Sequence, residues 1–279
     1  MSTLTVTAPA KLNPSLRVLG RRDDGFHEID SLMVKLPGLA DRLEFRQSGA
    51  FSFHCDDADL PGGDGNLVVK AARAYATAAG IACDFSITLE KNIPHGAGLG
   101  GGSSDAAATL RGLDQLHDGR LGAERLLELA ASLGCDIPFF LTPGAARCTG
   151  RGEITEPVPS PPALRVLLLK PVFAVHTADA YGRWAASREL PGIRYAAQDV
   201  DGLALVNDLE RPVFEKHRFL AELKQWLLAR DETAAALLAG SGSTVFAVLR
   251  EEADGEALAK AARHEIDPGL WHWCGTTGA

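Results

Sequence analysis

One stretch constrains this chain more than any other: PHGAGLGGGSSDAAATL, from Pro94 to Leu110, where five glycines fall within seven residues and run directly into helix-forming sequence. Glycine without a Cβ lets successive backbone amides converge on one point and accepts positive φ at little cost. Two serines and Asp105 follow, residue types that cap a helix, so the loop is expected to abut the positive end of a helix dipole. Amides and hydroxyls gathered at such a place suit an anion, and phosphate above all. Upstream, FSITLE, Phe85 to Glu90, alternates as a strand that feeds the loop. Gly96, Gly98 and Gly101 satisfy a dinucleotide-type GxGxxG, yet Lys91 to Pro94 intervene between strand and glycines. A Walker loop fails too, because no lysine occurs between Lys91 and the end of the following helix. A cation for the phosphate must therefore come from elsewhere.

The rest of the chain alternates short strands and helices. LTVTA, SLRVLG, IDSLMVKL, RLEFR and FSFH read as strands separated by turn residues. Leu67 to Ala79 reads as a helix with Asn66 at its start and Gly80 at its end, followed beyond the loop by helices over 104–117 and 123–133. The proline-rich EPVPSPP, Glu156 to Pro162, suits neither a helix interior nor a central strand and marks a boundary, giving units of 1–155 and 156–279. Beyond it lie a strand LRVLLL, a helix near 178–186 capped by Thr177, a helix near 217–229, a strand STVFAVL and a last helix near 252–264.

A net charge of -8 excludes broad attraction to nucleic acid or an anionic membrane, so any anion site is local. The five cysteines contain no CxxC and suggest neither disulfides nor zinc, and no apolar run reaches the roughly 18 residues of a membrane span. A soluble cytoplasmic protein, a monomer or homodimer acting on small molecules, is expected.

PHGAGLGGGSSDAA resembles the second motif of the GHMP kinase superfamily, named for its galactose, homoserine, mevalonate and phosphomevalonate members. APAKLN, Ala8 to Asn13, resembles the first motif and LAGSGSTVFAV, Leu238 to Val248, the third. The resemblance implies an α+β, two-domain fold, the N-terminal unit like the second domain of ribosomal protein S5 and the C-terminal unit a ferredoxin-like sandwich, with ATP as co-substrate and Mg2+ arriving with it. RRDDGFHEI, LGCDIPFFL and VNDLE are similar to the members that phosphorylate the 2-hydroxyl of a cytidine-diphosphate sugar alcohol. Members acting on mevalonate, homoserine or a sugar form the alternative.

The resemblance also distributes roles. Pro94, His95, Gly96, Ala97, Gly98, Leu99, Gly100, Gly101, Gly102, Ser103 and Ser104 would hold the phosphates, with Asn66 near the adenine. Lys11, which read alone is as well a solvated charge, would meet the acceptor hydroxyl and the transferring phosphate. Asp136, otherwise an N-cap before Pro138, would accept the hydroxyl proton. Asn13 would hold sugar-alcohol hydroxyls, and Phe26 and His27 the cytosine, Phe26 keeping a stacking face without the phenol hydroxyl found there in related enzymes. Tyr181 is a second wall for the base, with helix core as its other reading. Gly240 to Gly242 either steady the cradle or form a simple turn. No protein ligand for magnesium is evident, although Ser103 or Ser104 could give a hydroxyl.

Overall fold

A computed structural model describes residues 3–278. The chain opens on a long antiparallel hairpin of β1 (Thr3–Arg21) and β2 (His27–Gln47). Four of the strands expected from the sequence thus merge into two. Proline cannot donate to a ladder, but the register slips between Pro9 and Ala10 and between Leu12 and Ser15 let Pro9 and Pro14 sit in bulges, so the strand bends instead of ending. Strand β3 (Ser52–Cys55) then crosses through helix α1 (Leu67–Ala79) to the parallel strand β4 (Phe85–Glu90), which pairs with β2. Helix α1 has the ends its sequence promises: Asn66 Oδ1 accepts from Val68 N at 2.9 Å, and Gly80 takes φ 62°.

Helix α2 (Gly101–Leu116) begins three residues before Ser104, the start expected from the sequence. Its N-cap is Gly100 at φ 74°, without a side-chain cap, and Ser104 lies buried in the first turn. The Ser-Ser-Asp cap is therefore corrected: the cap position falls on Gly100, where φ is positive and a Cβ would stand 2.9 Å from Lys11 and Phe140, leaving no room for a capping side chain. Helices α3 (Gly122–Leu133) and α4 (Ile137–Leu141) and strands β5 (Ala146–Gly150) and β6 (Ile154–Pro157) complete the first half. Asp136 stands at the N-cap position of α4 without capping it. Apolar faces of α1 and α2 pack on the sheet through Tyr75, Leu110, Phe45 and Phe85.

The second half contains β7 (Arg165–Lys170), α5 (Thr177–Arg183), β8 (Gln198–Val200), β9 (Leu203–Asn207), α6 (Glu210–Lys216), α7 (Arg218–Leu228), β10 (Thr233–Leu238), β11 (Val245–Leu249), α8 (Gly255–Glu265) and β12 (Trp271–Thr276). Four of its strands form an antiparallel sheet in the order β10-β11-β7-β12, which is the order of a ferredoxin-like unit. His176, not Thr177, precedes α5 as its N-cap residue, and the Thr177 hydroxyl instead meets Ser241 Oγ at 2.8 Å. Strands β8 and β9 cross back to the first sheet, where β9 runs parallel to β1. An apolar cluster including Leu12, Leu36, Ala97, Leu99, Leu168 and Phe246 spans the two sheets.

One buried ion pair holds the second half. Lys224 Nζ lies 2.6 Å from Glu210 Oε2 with both side chains at most 2% exposed, while Glu210 Oε1 accepts from Leu238 N at 2.9 Å. Burial pushes the Glu210 carboxyl upward and the Lys224 ammonium counteracts it. Removing one partner of such a pair leaves an uncompensated charge. Lys224→Met is expected to lower unfolding stability by about 3 kcal/mol or more in urea titration; a loss under about 1 kcal/mol would show that the pair is dispensable.

Candidate active site

A cavity of about 1080 Å³ is lined by the glycine loop, the β1–β2 hairpin and α5. The loop forms one wall by alternation. Ala97 and Leu99 point into the inter-sheet core, 2% and 1% exposed, and Gly96, Gly98 and Gly100 between and beside them take φ of 61°, 77° and 74°. A Cβ on Gly98 would fall 2.0 Å from the Ala239 carbonyl oxygen, and one on Gly100 would press on Lys11 and Phe140. Backbone bonds dock the loop on both sides: Lys11 N donates to Leu99 O at 2.9 Å, and Thr244 N to Ala97 O at 3.2 Å. The second glycine turn therefore buttresses the first, a role the sequence left open. Gly100 leads into α2, whose first N–H groups have no intrahelical acceptor and form the dipole's positive end.

The two residues expected to do chemistry meet at the far end of the loop. Lys11 Nζ lies 3.7 Å from Asp136 Oδ2 and donates to Asn13 Oδ1 at 2.7 Å. Asn13 Nδ2 donates to Ser31 Oγ at 2.8 Å, and Ser31 in turn to Ser15 O. Strand bulges bring this chain of donors together, since the register slip between Leu12 and Ser15 turns Asn13 inward. Asn13 is fully buried and spends its carbonyl on Lys11, so it orients the ammonium besides lining the cavity.

Residue by residue, Pro94 to Ser103, Asn66, Phe26, His27 and Tyr181 line the cavity with Lys11, Asn13 and Asp136, whereas Ser104 lies behind the wall. Ser104 Oγ is buried without a hydrogen-bond partner. Asn66 uses both ends of its amide locally, on Val68 N and Pro61 O. His27 lies 5.4 Å from Tyr181 with the rings tilted at 33°, and meets Trp184 edge-on at 6.0 Å. Burial and then Arg21 hold the His27 imidazole below its ordinary range, keeping it neutral, with one ring nitrogen to donate and one to accept.

Model matches and relatives agree on one family. The GHMP kinases N terminal domain matches residues 66–144 and the GHMP kinases C terminal domain residues 195–267. A 4-diphosphocytidyl-2-C-methyl-D-erythritol kinase of Methylacidiphilum infernorum is 39% identical over 95% of this chain and 93% of its own, and one of Syntrophotalea carbinolica 40% identical over 95% of each. The chain belongs to the 4-diphosphocytidyl-2-C-methyl-D-erythritol kinase family. A crystal structure of a 4-(cytidine 5'-diphospho)-2C-methyl-D-erythritol kinase superposes with a TM-score of 0.79 at 34% identity, covering 99% of this chain and 100% of that one. Homoserine kinase from Cytophaga hutchinsonii, 18% identical with a TM-score of 0.69 over 100% of this chain and 95% of its own, shares the fold. The chain is a GHMP kinase of two packed α+β units.

In this kinase a second lysine lies under the cradle, and sequence reasoning passed over it. Lys91 Nζ is 2.7 Å from Asp105 Oδ2 and also contacts Asp41 Oδ2, with all three side chains at most 6% exposed. Asp41 Oδ1 accepts from Asn92 N and Ile93 N at 2.6 and 2.8 Å, fixing the entry to the loop. The only signal was Lys91 itself, at the end of a strand and three residues before Pro94. Arg151 and Trp184 were likewise missed, since single residues in turns and short helices carry no pattern.

Burial first, opposed by Lys91 and reinforced by Asp41, pushes the Asp105 carboxyl up to about 8. A folded value above the unfolded one means that native Asp105 binds a proton more tightly; its contribution is present at acid pH and is lost as pH rises through about 8. Asp105→Asn is neutral at every pH, so its thermal midpoint relative to the parent should rise between pH 5 and 8.5, and a constant difference would refute the assignment. Gly98→Ala, strained at positive φ and clashing with Ala239, should raise the KM for ATP at least about tenfold in a steady-state assay.

Proposed function

We propose that the chain transfers the γ-phosphoryl group of ATP to the 2-hydroxyl of 4-diphosphocytidyl-2-C-methyl-D-erythritol, giving the 2-phosphate and ADP, a step of non-mevalonate isoprenoid precursor synthesis. The observation that carries this reading is the meeting of Lys11 and Asp136, 3.7 Å apart, between a phosphate cradle and an aromatic wall.

Phosphoryl transfer asks for positioning and charge stabilisation more than for covalent help from the protein. The amides of the loop and of the first turn of α2 hold the β- and γ-phosphates, with the adenine toward Asn66. Lys11, steadied by Asn13, spans the acceptor oxygen and the transferring phosphate. Asp136 takes the hydroxyl proton as the oxygen–phosphorus bond forms and the bond to ADP breaks. At 3.7 Å the Lys11–Asp136 pair is loose enough for the ammonium to turn to phosphate. Tyr181, His27 and Phe26 grip the cytosine by stacking and by the imidazole nitrogens.

Magnesium binds phosphate oxygens, keeps several waters and, when bound, neutralises phosphate charge. The hydroxyl of Ser103, which lines the cavity, would fit one position in its shell, whereas Ser104 lies behind the wall. Among the described residues no group of three acidic, histidine or cysteine side chains forms a separate metal site. We place the units at 1–155 and 156–279; the change of sheet just after β6, which runs two residues past that boundary to Pro157, supports a break in this region. A cytoplasmic site of action fits five free cysteines; among the described residues no helix is long and apolar enough to cross a membrane.

A mevalonate, homoserine or sugar kinase would keep the cradle but has no use for an aromatic wall around His27. ADP release measured with each acceptor separates these readings. Asp136→Asn should lower kcat by roughly 10²–10⁴ while ATP binding persists, and Lys11→Ala should reduce kcat more than stability. Normal turnover by Asp136→Asn would remove the base.

A further inference from the structure

We infer that Arg151, at the tip of the β5–β6 hairpin, is a specificity residue whose guanidinium grips the diphosphate of a nucleoside-diphosphate acceptor. This deepens the reading above and rests on it. Arg151 lines the active-site cavity with its guanidinium carbon 4.8 Å from the centre of the Phe26 ring. Glu153 engages only one edge of it: Oε1 accepts from Arg151 Nε at 3.2 Å, and Oε2 accepts from the Arg151 backbone N at 2.6 Å. The two terminal nitrogens have no hydrogen-bond partner among the described residues. A guanidinium held by Nε and free at both ends is a preorganised fork for phosphate oxygens.

Neighbouring arginines are arranged differently. Arg147 gives both Nε and Nη2 to Asp30, and Arg22 gives Nε to Asp24 and Nη1 to Glu28, so these forks are spent. Arg21 also lines the cavity but is exposed, without the stacking and carboxylate that fix Arg151. The hairpin tip is placed relative to the chemistry as well. Gly152, at φ 116°, backs onto Asp136, whose Oδ1 would stand 3.5 Å from a Cβ there, and Gly150 N donates to Glu28 Oε1 at 3.1 Å. One rigid turn thus touches the proton acceptor on one side and the base-stacking ring on the other. An acceptor spanning those two points carries its diphosphate between them, in a protein whose net charge of -8 otherwise repels it.

The test is a binding series of cytidine, CMP and CDP by calorimetry on the full chain and on Arg151→Gln, with acceptor kinetics alongside. The expected result is a roughly 10- to 100-fold loss of CDP affinity with cytidine affinity changed less than about twofold, a raised acceptor KM, and kcat and the KM for ATP nearly unchanged. Arg151→Lys keeps the charge and loses the fork, so its CDP affinity should fall between the two, and it serves if Arg151→Gln does not fold. An equal loss for cytidine and CDP would overturn the inference, leaving Arg151 as a support for Phe26, and so would unchanged CDP affinity. If the parent phosphorylates the cytidine-diphosphate acceptor normally while Arg151→Gln binds CDP as well as it does, only this inference falls; if the parent binds none of the series and phosphorylates another acceptor, the acceptor reading falls with it.

Discussion

A phosphate cradle made of glycine is useful only when something else makes it rigid, and here that task falls to the side chains of Ala97 and Leu99 in the core between the two sheets. Each glycine fixed by folding costs about 0.5–1 kcal/mol beyond what alanine would, so five of them cost roughly 3–5 kcal/mol. Burial of Leu99 contributes about 2 kcal/mol and Ala97 somewhat less, and the bonds from Lys11 N and Thr244 N add about 1 kcal/mol each. The two sides nearly balance. The loop is thus ordered by its own short apolar residues, and the converging amides are available without further reorganisation when phosphate arrives.

The same docking decides which lysine does the chemistry. Lys11 and Lys91 both lie against the loop, yet Lys91 is held by two carboxyl groups at hydrogen-bond range, whereas Lys11 has one carboxylate at 3.7 Å and a neutral amide at 2.7 Å. An ammonium already bonded to both Asp41 and Asp105 has little left for a ligand. The Lys91 cluster fixes the strand-to-loop turn through Asp41, which also accepts two backbone amides there. Lys11 keeps its charge for the reacting atoms, and Asn13 supplies direction without neutralising it.

Much of this was legible because the residues concerned solve local problems. The glycine run, the Asn66 and Gly80 ends of α1 and the FSITLE alternation are each determined by backbone needs within a few residues. Strands β8, β9, β10 and β12 were not legible, and the reason is physical: QDV is too short for a period, and TAAALL and LALVN are buried apolar runs that could as well be helix. TGRGE carries no pattern that points to a site, since only tertiary pairing of β5 with β2 shows that its arginine lies over Phe26. The proline-rich stretch was read as a boundary, but its first two residues finish edge strand β6, and it could not reveal that two later strands return to the first sheet.

That return explains why VNDLE is so distinct in the sequence. Strand β9 ends beside β1, and the four residues from Asn207 on bind three separate elements there. Asn207 Nδ2 donates to Leu238 O and Gly240 O at 2.8 and 2.7 Å, and its Oδ1 accepts from Leu209 N, so one buried amide shapes the second glycine turn. Asp208 accepts from Val18 N and Arg17 at 2.9 Å, closing the end of β1. Glu210 then holds Leu238 N and Lys224. The turn placed by these bonds is the one whose Ala239 carbonyl approaches Gly98 and whose Gly240 backs onto Lys11. An apolar side chain at 207 would leave two buried carbonyl oxygens without this donor, at a cost of about 1–3 kcal/mol each. The turn that buttresses the phosphate loop is therefore set from a strand far along the chain, and the cradle's shape depends on the two units being packed as one.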